Sequence, residues 1–177
     1  MSDYKLAYRY GRSLLELAEE KGKLDQVAAD MKLFSDTCSS SREFDQLLKK
    51  PIVKPHQKLK VLESLFGEKV DEITISFFRL ITKKGREAYL GEVAYEFQKL
   101  WKKHKGIVEA EIISAVALTD EMKTKVEGII QSVVKGKIDL QVKEDEDVVG
   151  GFLLTIGDRQ IDETLRTKLN RIKRDLA

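Results

Sequence analysis

The hydrophobic period of the chain changes at Gly106. Before it, apolar residues recur three and four positions apart throughout; after it, stretches where they alternate with polar residues or run together stand between helical ones. A period near 3.6 buries one face of a helix and a period of two buries one face of a strand, so the two halves need different elements. The predicted fold is therefore α+β overall. An N-terminal antiparallel six-helix bundle spans residues 1–105, and a small α/β domain with a mixed sheet and two helices spans 106–177. A length of 177 residues accommodates two such units.

In the first part, Leu6, Tyr10, Leu14 and Leu17 share a helical period, with Gly22 as a stop. Leu24, Val27, Met31 and Phe34 repeat it, and the polar stretch from Thr37 to Ser41 predicts a break. Phe44, Leu47 and Leu48 predict a short helix ending before Pro51, because the residue before proline is driven out of helical geometry. Pro55 suits a first helical turn, followed by Leu59, Leu62 and Phe66 on one face. Ile73, Phe77 and Leu80 give a fifth helix closed near Gly85, and Leu90, Val93, Phe97 and Trp101 a sixth. Connections of a few residues favour antiparallel neighbours.

In the second part, Ile107 to Leu118 is rich in Val, Ile and Ala and predicts a strand. Thr119 or Asp120 would cap a helix carrying Met122, Val126, Ile129, Ile130 and Val133 on one face. Ile138, Leu140 and Val142 alternate with Asp139, Gln141 and Lys143, a half-buried strand. The run from Val148 to Thr164 then supplies a Gly150-Gly151 pair entering a strand, a turn at Gly157-Asp158 and a second short strand. Asp162 would cap a last helix with Leu165, Leu169, Ile172 and Leu176 on one face.

Composition argues against several functions. Lys and Arg number 32 against 30 Asp and Glu, a net charge of +2, which gives no global case for nucleic acid or an anionic membrane. The single cysteine, Cys38, cannot form an internal disulfide. No run approaches the roughly 20 apolar residues that span a bilayer, and the start Met1-Ser2-Asp3-Tyr4 has no signal pattern. Neither His56 nor His104 has a partner at metal-ligand spacing, and Glu144-Asp145-Glu146-Asp147 lacks the spacing of a calcium loop. Gly150-Gly151 leads into a strand, whereas a phosphate loop needs its glycines before a helix, so close backbone packing or a bulge is expected there. Two weaker alternatives are a nucleic-acid adaptor using Arg166, Arg171, Lys173 and Arg174, and a nucleotide-binding protein using Gly150 and Gly151.

Two helices carry more apolar surface than one stripe requires. On the first, Leu6, Tyr10, Ser13 and Leu17 lie on one side, while Ala7, Gly11, Leu14, Leu15 and Ala18 line another. On the fifth, Ile73, Phe77 and Leu80 lie on one side and Ile75, Phe78 and Ile81 around it. Either both helices are central in the bundle, or they leave a groove for an amphipathic helix, with Gly11 and Ser13 permitting close approach. Periodicity leaves both open.

The chain resembles the delta subunit of F-type ATP synthase, whose mitochondrial counterpart is the oligomycin-sensitivity-conferring protein. Gly150, Gly151, Gly157, Asp162, Thr164 and Leu169 stand where the family pattern has Gly, Gly, Gly, Asp, Ser or Thr, and Leu. Ile113-Ser114-Ala115 with Leu118 is similar to a family Ser-Ala element; Leu47-Leu48 before Pro51, Lys58, Gly85-Arg86, and Ala7, Tyr10 and Leu14 match weaker signals. Thr164 stands for the commoner Ser, Glu146-Asp147 precedes the apolar pair where Asp-Pro or Asp-Lys is common, and Tyr8 and Arg9 are bulkier than the family's residues. The resemblance implies a non-catalytic stator subunit without cofactor, metal or small-molecule substrate. It would join the catalytic head, through residues 1–105, to the peripheral stalk, through 106–177, and keep the head from turning with the rotor. It implies that the N-terminal helix of an alpha subunit lies in a groove at Tyr10, Ser13 and Leu80, to which helical spacing adds Leu6, Leu17, Ile73 and Phe77. The C-terminal ends of the b subunits would meet the second domain. No nucleic acid and no direct membrane insertion are expected. The expected location is the cytoplasmic face of a bacterial plasma membrane, as a peripheral protein, with a processed organellar chain as the alternative.

Overall fold

A computed structural model of the chain describes residues 3–114, 124, 126, 128, 130, 137–145, 148, 150–157 and 159–175. They divide into two compact units, Met1–Trp101 and Lys102–Ala177. Seven α-helices with described bounds and a four-stranded mixed sheet make the chain α+β.

The first unit is helical. Helices α1 (Asp3–Glu20), α2 (Leu24–Ser40), α3 (Arg42–Lys49), α4 (Pro55–Phe66) and α5 (Glu72–Lys83) are followed by a 3₁₀ turn (Glu87–Tyr89) and α6 (Leu90–His104), which runs past the unit boundary. Their inward residues form one buried cluster centred on phenylalanines. Phe34 of α2 lies 5.9 Å from Phe44 of α3, 5.4 Å from Phe66 of α4 and 5.0 Å from Phe78 of α5, between ring centroids. Contacts at such distances add about 0.5–1.5 kcal/mol per pair to the gain from burial. Gly11 lets α1 approach α6: a Cβ there would stand 3.2 Å from the backbone nitrogen of Phe97.

The polar stretch after Phe34 does not break α2 where expected. The helix continues to Ser40, with the Thr37 hydroxyl donating to the Leu33 carbonyl at 2.7 Å and the Ser40 hydroxyl to that of Thr37 at 3.2 Å. Hydroxyls bonded back to the preceding turn do not compete for the helix's own amides. The stop is Ser41, whose extended backbone starts α3 and whose Oγ accepts from the Phe44 amide. Lys58 of α4 is buried; its ammonium donates to the Leu48 carbonyl at 2.6 Å and pairs with buried Glu87 at 2.9 Å. A buried cation is tolerable only with such partners, and these bind α3, α4 and the 3₁₀ turn together.

In the second unit, strands β1 (Ile107–Ser114), β2 (Lys137–Glu144), β3 (Phe152–Ile156) and β4 (Arg159–Asp162) lie in the order β2-β1-β3-β4. β1 and β2 are parallel and the other pairs antiparallel. Residues 124, 126, 128 and 130, in the connection that a parallel pair requires, are helical. Val126 and Ile130 are buried with Ala110, Ile112, Leu154 and Ile156, which the register sets side by side. Of the predicted first strand and helix, Ala115, Leu118, Thr119, Asp120, Met122, Ile129 and Val133 lie outside the described residues. Helix α7 (Leu165–Asp175) ends the description.

The Gly150-Gly151 pair fits against the entry to α7. Both have positive φ, and a Cβ on Gly151 would lie 2.3 Å from the Glu163 carbonyl oxygen. The Gly150 carbonyl accepts from the Leu165 amide at 3.0 Å, and that of Phe152 from the Glu163 amide at 3.0 Å. Asp162 differs from its expected role: it is the last residue of β4, and Thr164 caps the helix by accepting the Thr167 amide at 3.3 Å. Asp162 holds the turn before the cap, accepting from the Thr164 amide at 2.9 Å and the Thr167 hydroxyl at 2.8 Å. These bonds to its ionised form hold the Asp162 carboxyl below its ordinary pKa.

Gly151 and Gly157, two of the positive-φ glycines of this unit, should therefore respond differently to alanine. Gly157 also has positive φ but has open space where its Cβ would go. Gly157→Ala should cost about 1–2 kcal/mol, for the left-handed backbone alone. Gly151→Ala adds a collision with backbone and should cost roughly 3 kcal/mol or more. Native-state hydrogen exchange of the β3 amides reads both, and equal protection in the two variants would remove the packing role of Gly151.

Candidate functional site

The two apolar sides of α1 separate clearly. Ala7, Gly11, Leu14, Leu15 and Ala18 are buried, so this side is core. The other side grades outward: Leu6 is buried, Tyr10 half-buried, and Ser13 and Leu17 exposed, Leu17 by 41%. Gly11 therefore gives close approach to α6 inside the unit, and not to a docked helix. Ser13 turns its hydroxyl back to the Arg9 carbonyl at 2.9 Å.

Helix α5 divides in the same way. Ile75, Phe78 and Ile81 are buried in the core, Phe77 is buried at its margin, Ile73 is half-buried and Leu80 is 47% exposed. Tyr10 meets Phe77 edge to face at 6.5 Å, which brings the outer sides of α1 and α5 together. Beside that contact lies an open groove of about 470 Å³. Leu17, Ile73, Phe77 and Leu80 form its apolar lining, with Ser76 beside them. Thus four of the seven expected groove residues line one depression and Tyr10 supports it. Ser13 shares the exposed side of α1, and Leu6 is buried.

One end of the groove is charged. Lys21, Lys23, Asp71 and Glu72 complete its rim. Asp71 is the N-cap of α5: its Oδ1 accepts from the Ile73 amide at 3.0 Å, and its Oδ2 pairs with Lys23 at 2.7 Å. These partners, the amide first, hold the Asp71 carboxyl below its ordinary value, and the carboxylate holds the Lys23 ammonium above its own. Behind the rim, buried Asp30 of α2 accepts at one oxygen from the Asp71 amide at 2.8 Å and the Thr74 hydroxyl at 2.7 Å. Neither Asp71 nor Asp30 is among the residues expected at the groove. Their signals were present: Asp71 directly precedes an apolar helical run, and Asp30 stands among Val27, Met31 and Phe34 on a core stripe.

The other candidates have local roles. Gly150 and Gly151 use their surroundings for backbone packing, as above, and this leaves no phosphate cradle at the pair. In the basic run ending α6, Lys102 pairs with Glu109 at 2.6 Å and Asp139 at 2.8 Å, and Lys99 covers the ring of Tyr95 at 4.6 Å. Burial pushes the Cys38 thiol up to about 12, so it is an unreactive packing group. Among the described residues, no group of three or more His, Cys, Asp or Glu side chains could hold a metal ion. On α7, Leu165 and Leu169 are exposed, Leu169 by 64%, so they do not cover the sheet. Arg166, Arg171, Lys173 and Arg174 are exposed beside them. Ile172's side chain and Leu176 lie outside the described residues.

A helical unit with an apolar groove and a small unit with a mixed four-stranded sheet define a two-part α+β protein. Comparison with known proteins agrees. The family described as ATP synthase delta (OSCP) subunit matches residues 6–176. The chain is 39% identical over 173 residues to ATP synthase subunit delta of Cytophaga hutchinsonii, covering 98% of this chain and 94% of that one. It is 31% identical over 177 residues to ATP synthase subunit delta of Flavobacterium psychrophilum, covering 100% and 99%. Its fold is similar to that of a chain in the Toxoplasma gondii mitochondrial ATP synthase hexamer, with a TM-score of 0.78 at 22% identity over 97% of each chain. The chain belongs to the ATP synthase delta (OSCP) subunit family, a structural and not a catalytic component of ATP synthase. No helix among the described residues is long and apolar enough to cross a membrane.

The charged end of the groove should weaken in acid. A carboxyl whose folded pKa is depressed stabilises the fold above its unfolded value, about 3.9, and loses that contribution as pH falls through the folded value. The stability difference between the native protein and Asp71→Asn should be constant from about pH 7 to 5 and shrink below about pH 4. Urea unfolding across that range measures it. A difference that stays level to about pH 2.5 would show that the Asp71 charge adds nothing to the cap.

Proposed function

We propose that this protein is the stator link of an F-type ATP synthase, joining the alpha/beta catalytic head to the b subunits of the peripheral stalk. In this role it keeps the head from turning with the rotor, so that ion translocation is coupled to ATP synthesis. Helices α1–α6 act as an antiparallel six-helix bundle that binds the head, and the sheet unit binds the stalk. The observation that carries the reading is the α1–α5 groove: Leu17 and Leu80 stand exposed on its two walls with Ile73 and Phe77 between. Scattered surface leucines need no explanation, but a concave apolar strip suits an amphipathic segment. The occupant is the N-terminal helix of an alpha subunit, which meets Leu6, Tyr10, Ser13, Leu17, Ile73, Phe77 and Leu80 in or beside the groove. The exposed leucines and basic residues of α7 support a contact between the second unit and the C-terminal ends of the b subunits. The protein is thus peripheral, on the cytoplasmic face of a bacterial plasma membrane, held there by its partners.

Leu80→Glu places a charge in the lining without disturbing the core. Its affinity for a synthetic N-terminal helix of the alpha subunit should fall at least roughly 30-fold, since a buried unpaired charge costs a few kcal/mol. Affinity unchanged within twofold, by calorimetry at about 0.15 M salt, would remove the groove from the interface.

A further inference from the structure

We propose that Asp30, which lines no part of the groove, is a positioning residue for helix binding there; the inference rests on the groove being the alpha-subunit site. Asp30 is a carboxylate in the interior that faces no cation in any described contact. Burying such a group is costly, and burial persists where the group has a task. Its single oxygen Oδ2 receives both the Asp71 amide and the Thr74 hydroxyl. These two donors belong to the first turn of α5, the turn that carries Ile73 and leads to Ser76 and Phe77. Asp71 in turn grips Lys23, one residue after the Gly22 turn that closes α1.

A chain of short polar contacts thus runs from α2 through the start of α5 to Lys23, the N-cap of α2, whose amide donates to the Ala18 carbonyl of α1 at 2.9 Å. The two helices it ties are the two walls of the groove. Apolar packing alone fixes helices loosely along their axes, because one leucine contact resembles the next; directional hydrogen bonds fix the height at which α5 begins. Asp30 therefore sets the position of Ile73 and Phe77 against Leu17. A docked helix reads that position, since its anchors are spaced at fixed intervals of three and four residues.

The test uses the full chain and the synthetic alpha-subunit helix. Asp30→Ala removes the shared acceptor, and affinity should fall roughly tenfold, the size expected when two buried donors lose their partner. Asp30→Asn offers a carbonyl oxygen at the same place and should restore affinity to within about threefold of the native protein. Leu48→Ala, on α3 and outside the groove, supplies a variant destabilised through the core alone, and it should bind normally. If Asp30→Ala does not fold, Thr74→Val keeps the volume, removes one donor and should cost roughly threefold. Native affinity in Asp30→Ala or Thr74→Val, while Leu80→Glu abolishes binding, overturns the role of Asp30 and leaves the groove standing. Equal losses in Asp30→Ala and Asp30→Asn, or a loss in Leu48→Ala that matches its lowered stability, also overturn it. Unchanged binding in Leu80→Glu removes the groove itself.

Discussion

The first unit depends on Phe34. This fully buried ring touches a phenylalanine on each of α3, α4 and α5, so one side chain fixes the facing of three helices. Burying a phenylalanine is worth about 1.5–3 kcal/mol, and four meet here. The cluster decides which side of α5 is inside: with Phe78 on Phe34 and Ile75 and Ile81 in the same core, the opposite side of the helix must face out. Leu80 is then surplus to the core, and Ile73 is only half-buried against it. The groove follows from that surplus, and a helix committed by Phe78 cannot turn to hide Leu80.

The second unit has a buried side-chain cluster of its own and adds to it a constraint set by backbone. Gly151 passes within reach of the Glu163 carbonyl, Gly150 accepts from the first turn of α7, and Asp162 and Thr164 hold that turn together. Positions of this kind admit few residue types, which explains why the most recognisable run in the chain is structural. The groove asks only for apolar surface, which Leu, Ile and Phe all supply. The most recognisable run in this chain is therefore a structural one, while the proposed docking groove carries no motif.

Helix ends were legible where chemistry acts locally: Gly22, Pro51, Pro55 and Gly85 stand where the structure starts or stops helices. The alternation of Ile138, Leu140 and Val142 with polar residues likewise stands where the structure has β2, paired along β1. What failed was local too. The Thr37–Ser40 hydroxyls stayed inside the helix by bonding backward, and Asp162 yielded the cap to Thr164 two residues later. The deeper gap concerns helices with two apolar sides. Periodicity identified both sides of α1 but could not rank them, because Leu14 and Leu17 have the same chemistry and differ only in what lies opposite. Asp30 was hidden for the same reason: its partners come from Asp71 and Thr74, more than forty residues away in sequence.

A link of the proposed kind must hold under repeated torque, and the groove shows how interaction types divide that task. Nanomolar affinity corresponds to about −12 kcal/mol, and ordering a helix on a surface consumes several kcal/mol more. Exposed ion pairs contribute about 0–1 kcal/mol each and fade with salt, so the rim charges cannot supply this. Apolar burial at about 25 cal/mol per Å² can, once roughly 600 Å² is covered. The polar groups here are better matched to geometry. Asp30, Asp71 and Lys23 hold the walls from behind and at one end, where their strength lies in direction and not in net energy. The division has a consequence for load. An apolar contact tolerates sliding, so a groove with unfixed walls would let its occupant creep, whereas hydrogen bonds that fix the start of α5 give the same apolar surface a single register.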